Sequence, residues 1–172
     1  MAGVRTWLGC LVTVALLAGC ASPPPSDERS VRGVITRYNA LLSDGYRSLD
    51  MNGMREVASQ LQAEDEYIHM SSLAEGGVRL DPELKKLEFL RVTVEATTAQ
   101  AETRETWDYH HYSRATGELV LEQKALIYHL AWDLSKETSG TWLVTDVRAI
   151  SATSAVEPRQ VGTLTPVFPE RK

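Results

Sequence analysis

The sequence predicts an α+β domain: three N-terminal helices packed on a four-stranded antiparallel sheet. Two observations carry this. Apolar residues recur in steps of three and four from Val31 to about Ala74, then recur at period two after Gly76-Gly77. Turn residues also divide the second half into four long runs, and helices followed by strands in that way give α+β. A chain of 172 residues suits one domain. A formal charge of −5 argues against a phosphate-backbone binder, which needs a basic surface.

The first helix is expected over Val31–Leu49, with Val31, Val34, Ile35, Tyr38, Leu41, Leu42, Tyr46 and Leu49 on one face. Ser30 is its candidate N-cap, and Asp50, Asn52 and Gly53 break it. A short second helix is expected around Met54–Ala58. Ser59 and Gln62 fit a capping box that opens a third helix. The third helix carries Leu61, Ala63, Tyr67, Ile68, Met70 and Leu73 and stops at Gly76-Gly77. Strands are expected over Leu84–Ala96, Ala101–Ser113, Leu119–Leu134 and Thr141–Ile150. Hairpin turns fall at Arg114–Gly117 and Lys136–Gly140.

The N-terminus carries an address. Arg5 precedes an apolar run of 11 residues, Leu8–Ala18, the length of a signal-peptide core and too short to span a bilayer. Leu17-Ala18-Gly19-Cys20 resembles a bacterial lipobox; an ordinary signal peptide or an uncleaved apolar N-terminus are the alternatives. The resemblance implies cleavage before Cys20, lipidation of Cys20 and a domain held at a membrane. With Ala21 following the anchor, the Gram-negative sorting rule implies the periplasmic face of the outer membrane. A Gram-positive source would imply the outer face of the cell membrane. Residues 1–19 are then the signal peptide, and 20–29 a lipidated, Pro-rich linker reaching roughly 25–30 Å as polyproline II. Residues 30–150 form the domain. Residues 151–172 form an extended tail with Val161, Leu164 and Val167 available to its surface. Loss of Arg5 with the signal leaves 17 basic against 23 acidic residues, a charge of −6.

The order of helices and long strands resembles the cone-shaped nuclear transport factor 2-like superfamily, whose sheet is curved. The closing run Gly140-Thr-Trp-Leu-Val-Thr-Asp-Val147 is similar to the last strand of that superfamily. Lys124–Leu134 and Arg104–Tyr109 fit the two strands before it. The helix-then-sheet variety resembles the C-terminal domain of plastid-division proteins and bacterial lipoproteins of unknown role. The enzymes of the superfamily use an Asp–His dyad or a Tyr and Asp pair, and no matching motif occurs here. Dimerisation through the outer sheet face is an expectation by analogy alone.

On the second strand, Glu105, Trp107, Tyr109 and His111 share one face. Two readings stay open. One is an aromatic-lined ligand pocket of Tyr67, Trp107 and Tyr109, with Glu105 and His129 supplying polarity. The other is a core whose aromatic residues turn their polar ends to water or backbone. His110 and His111 are adjacent on a strand and point to opposite faces, so they do not chelate together. Glu66 and His69 stand at i, i+3, the spacing of carboxylate-bridged di-iron bundles, but lack the second copy such sites need. No metal site or cofactor is expected. With Cys10 removed and Cys20 lipidated there is no free thiol, and no Gly-x-Ser-x-Gly elbow or phosphate loop is present.

The expected role is a non-catalytic binding or scaffold module for an envelope protein or component. The alternatives are a carrier of a small apolar molecule or lipid in the cone, and an enzyme of lyase or isomerase type using Glu105, His129, His111 or Asp146.

Overall fold

The computed structural model describes residues 25–162. Cys20 and its lipobox lie outside the described residues, as do Leu164 and Val167. Helix α1 spans Pro25–Ser48 and α2 spans Gln60–Glu75. Strands β1 (Val78–Val94), β2 (Thr98–Ser113), β3 (Leu119–Lys136) and β4 (Trp142–Ser154) form an antiparallel sheet in the order β1-β2-β3-β4. The short β5 (Arg159–Gln160) pairs with Leu121 and Glu122 of β3, beyond the end of β4.

Two helices stand where three were expected. The middle segment, Asn52–Glu56, is a single 3₁₀ turn of five residues. It is squeezed between the α1 terminus and Ser59, and its bonds close over three residues, Val57 N–H donating to Met54 O. Helix α1 also starts earlier than Ser30. Pro25 stands at its first position, where a missing N–H costs nothing, and Asp27 and Glu28 favour the positive end of the helix dipole. Asp27 fastens this turn to the sheet through Lys136 Nζ at 2.8 Å and Trp142 Nε1 at 3.4 Å. Ser30 is therefore interior, its hydroxyl donating back to Ser26 O, and the linker ends before residue 25.

Helix α1 closes over Gly45. A Cβ there would clash with Met51 Sδ and press on Asp50 O at 3.1 Å, so glycine lets the chain after the helix fold back closely over it. Helix α2 opens as expected at Ser59, whose side chain accepts from Gln62 N–H. The reciprocal half of the box is absent, because Ser59 N–H donates to Val144 O instead. The helix stops at Gly76 and at Gly77, whose φ of +79° suits glycine. Its expected apolar stripe is split: Ala63 and Met70 are buried, whereas Leu61 (74%), Tyr67 (56%) and Ile68 (62%) are exposed. Apolar and polar residues are scattered round this helix with no single apolar face, so polar bonds choose its inward side; Gln62 and Glu66 turn toward Tyr38.

Strand β1 begins at Val78 and not at Leu84. Pro82 hid the first turn of the strand. It is tolerated because β1 is an edge strand, and Arg47 Nη2 donates to its carbonyl. Both expected hairpins are present, with Gly117 (φ +75°) and Gly140 (φ +89°) in their turns. Strand β4 continues to Ser154, and β5 with the Val161 N–H bond to Val120 O returns to β3, so residues 151–154 and 159–161 join the sheet.

The sheet bends beside Trp107. The β2–β3 register shifts between Trp107 and Tyr109, opposite Ala125 at φ +53°. The Asp108 carboxylate accepts from Ala125 N–H at 2.8 Å and braces this bulge from the outer face. Bulges bend strands and increase their twist, which curves the sheet into a cone. On its inner face Trp132, Leu134 and Val144 meet Val31, Ile35 and Tyr38 of α1, and Tyr38 packs edge-on to Trp132 at 5.3 Å.

The two serines give a direct check of the helix boundaries. Ser59→Ala should cost about 1 kcal/mol through loss of a cap, and Ser30→Ala should stay within about 0.5 kcal/mol. Urea unfolding compares them; equal losses would contradict the assigned helix starts.

Candidate functional site

Strand β2 presents Ala99, Ala101, Thr103, Glu105 and Trp107 inward at strict period two, all buried. Glu105 is 0% exposed. Its Oε1 accepts from Asn39 Nδ2 at 3.0 Å and from Thr103 Oγ1 at 3.0 Å. Its Oε2 accepts from Trp107 Nε1 at 2.8 Å. The Thr103 hydroxyl in turn accepts from Trp132 Nε1 at 2.8 Å, which orients its own proton toward Glu105. None of these partners is a cation. Burial pushes the Glu105 carboxyl above its ordinary range, and the three donors from Asn39, Trp107 and Thr103 pull it back in part.

A second carboxylate approaches from α2. Glu66 Oε1 accepts from Tyr38 OH at 2.6 Å and from Gln62 Nε2 at 3.2 Å, and Oε2 lies 3.5 Å from Tyr46 OH. Tyr46 also contacts His69 Nδ1. Burial, then the charge of Glu66, pushes the phenols of Tyr38 and Tyr46 far up, so both remain donors.

Between these groups lies a pocket of about 160 Å³, lined by Tyr38, Asn39, Leu42 and Glu66 from the helices and by Glu105, Trp107, Tyr109, Tyr128, Leu130, Trp132 and Val147 from the sheet. Trp107 and Tyr109 stack with centroids 6.0 Å apart. An engineered cavity of about 150 Å³ holds benzene, so this one admits a compact group of that size. A larger groove of about 400 Å³ lies at the β1–β2 turn, but most of its lining side chains are polar, and its Asp133 is already bonded to Arg148 and Gln100. The smaller pocket is the candidate because it joins apolar walls to buried polar groups that converge.

Of the five residues expected at a ligand site, the structure gathers three: Glu105, Trp107 and Tyr109. Tyr67 does not join them. It faces outward from α2, against a separate shallow pocket with Met51 and Arg55. His129 does not either. On β3 the even residues Tyr128, Leu130, Trp132 and Leu134 turn inward, so His129 points to the outer face, 3.2 Å from Glu102 Oε2. His110 pairs with Glu122 at 3.3 Å, whereas His111 Nδ1 is buried without a partner among the described residues. Asp146 is ion-paired with Arg148. Asn39, Thr103, Tyr38, Glu66 and Trp132 were missed. Two signals were present: Thr103, Glu105 and Trp107 alternate on one strand face, and Asn39 stands four residues from Ile35 on the buried side of α1.

No protein-family model matches the sequence, and no curated protein does. Solved structures do share the architecture. The intermembrane space region of the chloroplast protein ARC6 superposes with a TM-score of 0.60 at 18% identity, over 73% of this chain and 98% of that one. A nuclear transport factor 2-like superfamily protein from Salmonella enterica serovar Typhimurium gives 0.51 at 11% identity, over 77% and 93%. The chain has the nuclear transport factor 2-like fold; at these identities the likeness extends to fold alone.

The network responds differently to two substitutions at one position. Glu105→Ala strands three donors and should cost about 3–5 kcal/mol. Glu105→Gln should cost less, about 1–2 kcal/mol, because with the Asn39 amide flipped the new Nε2 donates to Asn39 and Thr103 and the oxygen still accepts from Trp107, leaving only the Thr103 hydroxyl proton without its acceptor. The pH dependence has a fixed sign. Between the ordinary carboxyl value of 4.5 and the raised folded value, native Glu105 keeps a proton that the unfolded chain has lost. Stability therefore falls as pH rises through that window. Urea titrations of wild type minus Glu105→Gln should show that fall; a difference that rises with pH would contradict it.

Proposed function

We propose that this chain is a non-catalytic binding module of the bacterial envelope, held at the membrane by lipid on Cys20, whose cone mouth receives one compact group. The observation that carries the reading is the pocket around Glu105, Trp107 and Tyr109. Its volume of about 160 Å³ is below the roughly 300 Å³ where drug-sized ligand sites begin. That size suits a small molecule or a single protruding side chain. A proton-transfer role finds little support: Asn39, Thr103 and Trp107, the partners of Glu105, carry no titratable group that works near neutral pH. Of the four residues considered for acid–base chemistry, Glu105 alone lines this pocket.

The anchor follows from the lipobox resemblance at Leu17–Cys20, and the fold adds a length to it. Helix α1 starts at Pro25, five residues after Cys20. A fully extended chain covers at most ~3.6 Å per residue, so the leash is at most about 18 Å, shorter than the linker read from the prolines alone. A domain of formal charge −6 gains nothing from an anionic surface, which leaves the lipid to hold it.

Both parts have one experiment. A photo-crosslinking amino acid at Tyr128, at the pocket mouth, is compared with one at Tyr67 in intact bacterial envelopes. The reading expects adducts of discrete mass from Tyr128 and none from Tyr67; the reverse pattern would refute it. Cys20→Ala should move the protein from the membrane to the soluble fraction, and retention at the membrane would refute the anchor.

A further inference from the structure

Carboxylates in this protein that leave water take a cation with them. Among the described residues, each buried or half-buried Asp and Glu is ion-paired with Lys or Arg, with two exceptions. Glu122 shows the rule well, with Lys124 at 3.0 Å and Arg159 at 2.9 Å. The exceptions are Glu66 and Glu105. Their contacts are phenols, amides, a hydroxyl and an indole. Both line the same pocket, and no Lys, Arg or His lines it.

The other walls of that pocket are aromatic: Tyr38, Trp107, Tyr109, Tyr128 and Trp132. Aromatic rings attract a cation through their negative faces, and such cages recognise alkylammonium groups. A buried carboxylate without a counter-charge is costly, and a cation that enters removes that cost. Leu42, Leu130 and Val147 supply apolar contact for the carbon substituents of the group.

We infer that the cone pocket binds an organic cation, an alkylammonium group of quaternary-ammonium size, between its aromatic walls, drawn by the unpaired charge of Glu66 beside it and of Glu105 buried in its wall. This rests on the pocket being the binding site, as proposed above. The cation supplies the counter-charge that every other sequestered carboxylate draws from the chain itself. A neutral molecule of the same shape fills the same volume and leaves both carboxylates unpaired.

The test uses three probes of one shape and different charge: choline, 3,3-dimethyl-1-butanol and 3,3-dimethylbutanoate. Each is titrated into the full-length chain in a maltoside detergent at constant ionic strength, with the indole N–H signals of Trp107 and Trp132 followed by NMR. Choline should bind with a Kd about tenfold or more below that of the alcohol, and the anion should not bind. Glu66→Gln and Glu105→Gln should each weaken choline about fivefold or more and leave the alcohol unchanged. The first is half-exposed and the second keeps its bonds to Asn39 and Trp107 once the Asn39 amide flips, so both variants should fold. Equal affinity for choline and the alcohol, or preference for the anion, would overturn the cation and leave the pocket standing. Silence from all three probes would also overturn it. Crosslinks from Tyr128 would then keep the binding module, and their absence would remove that as well.

Discussion

The structure is organised around a carboxylate placed where water cannot reach it. Glu105 is fully buried on the inner face of β2, and its neighbours are arranged to feed it hydrogen bonds. Thr103 and Trp107 come from the same strand face, two residues to either side. Asn39 comes from α1, and Trp132 from β3 through the hydroxyl of Thr103. One group thus ties the long helix to two strands at the place where the sheet bends. The bend has its own brace on the opposite face, where Asp108 holds Ala125 in the bulge. Between the two, the Trp107–Tyr109 stack is set at the wall of the pocket.

Placing a carboxylate there is unfavourable unless something compensates it. Three donors satisfy its hydrogen bonds but leave its charge unmatched. The same holds for Glu66, which α2 brings over the pocket from the other side. Elsewhere the protein is generous with counter-charges: Asp27 has Lys136, Glu102 has Arg91, and Asp133 has Arg148. The outer face of the sheet is covered by such pairs. The contrast lies among the carboxylates that leave water: those elsewhere are paired within the chain, and the two in the cone are not.

Much of the fold was legible because periodicity survives the loss of context. The switch from period 3.6 to period two at Gly76-Gly77 located the sheet, and Gly117 and Gly140 located two of its hairpins. Errors arose where tertiary contacts overrode local signals. Ser30 looked like a cap, yet Asp27 clamped to Lys136 and Trp142 carried α1 back to Pro25. Pro82 lies in the part of β1 that the expected strand left out, and its edge position makes it a strand residue. The short helix expected around Met54–Ala58 is a five-residue 3₁₀ turn, because the chain must return within a few residues from α1 to Ser59. The site divided in the same way. Glu105, Trp107 and Tyr109 followed from strand alternation. Tyr67 followed from a stripe on a helix whose apolar residues do not gather on one face, and His129 was named for its polarity although its parity along β3 already turned it outward. Asn39 and Glu66 reach the pocket from other elements, so their roles depend on packing that periodicity does not encode.

The protonation of Glu105 itself tests the account most directly. A ¹³C-carboxyl NMR titration of the full-length chain, with the indole N–H of Trp107 observed in parallel, reports the group and its donor together. The account predicts a midpoint above the ordinary carboxyl value, shared by the Trp107 signal, that moves down when choline occupies the pocket. A midpoint at or below the ordinary value, unmoved by choline, would mean that Glu105 is solvated or already neutralised, and the organisation described here would not hold.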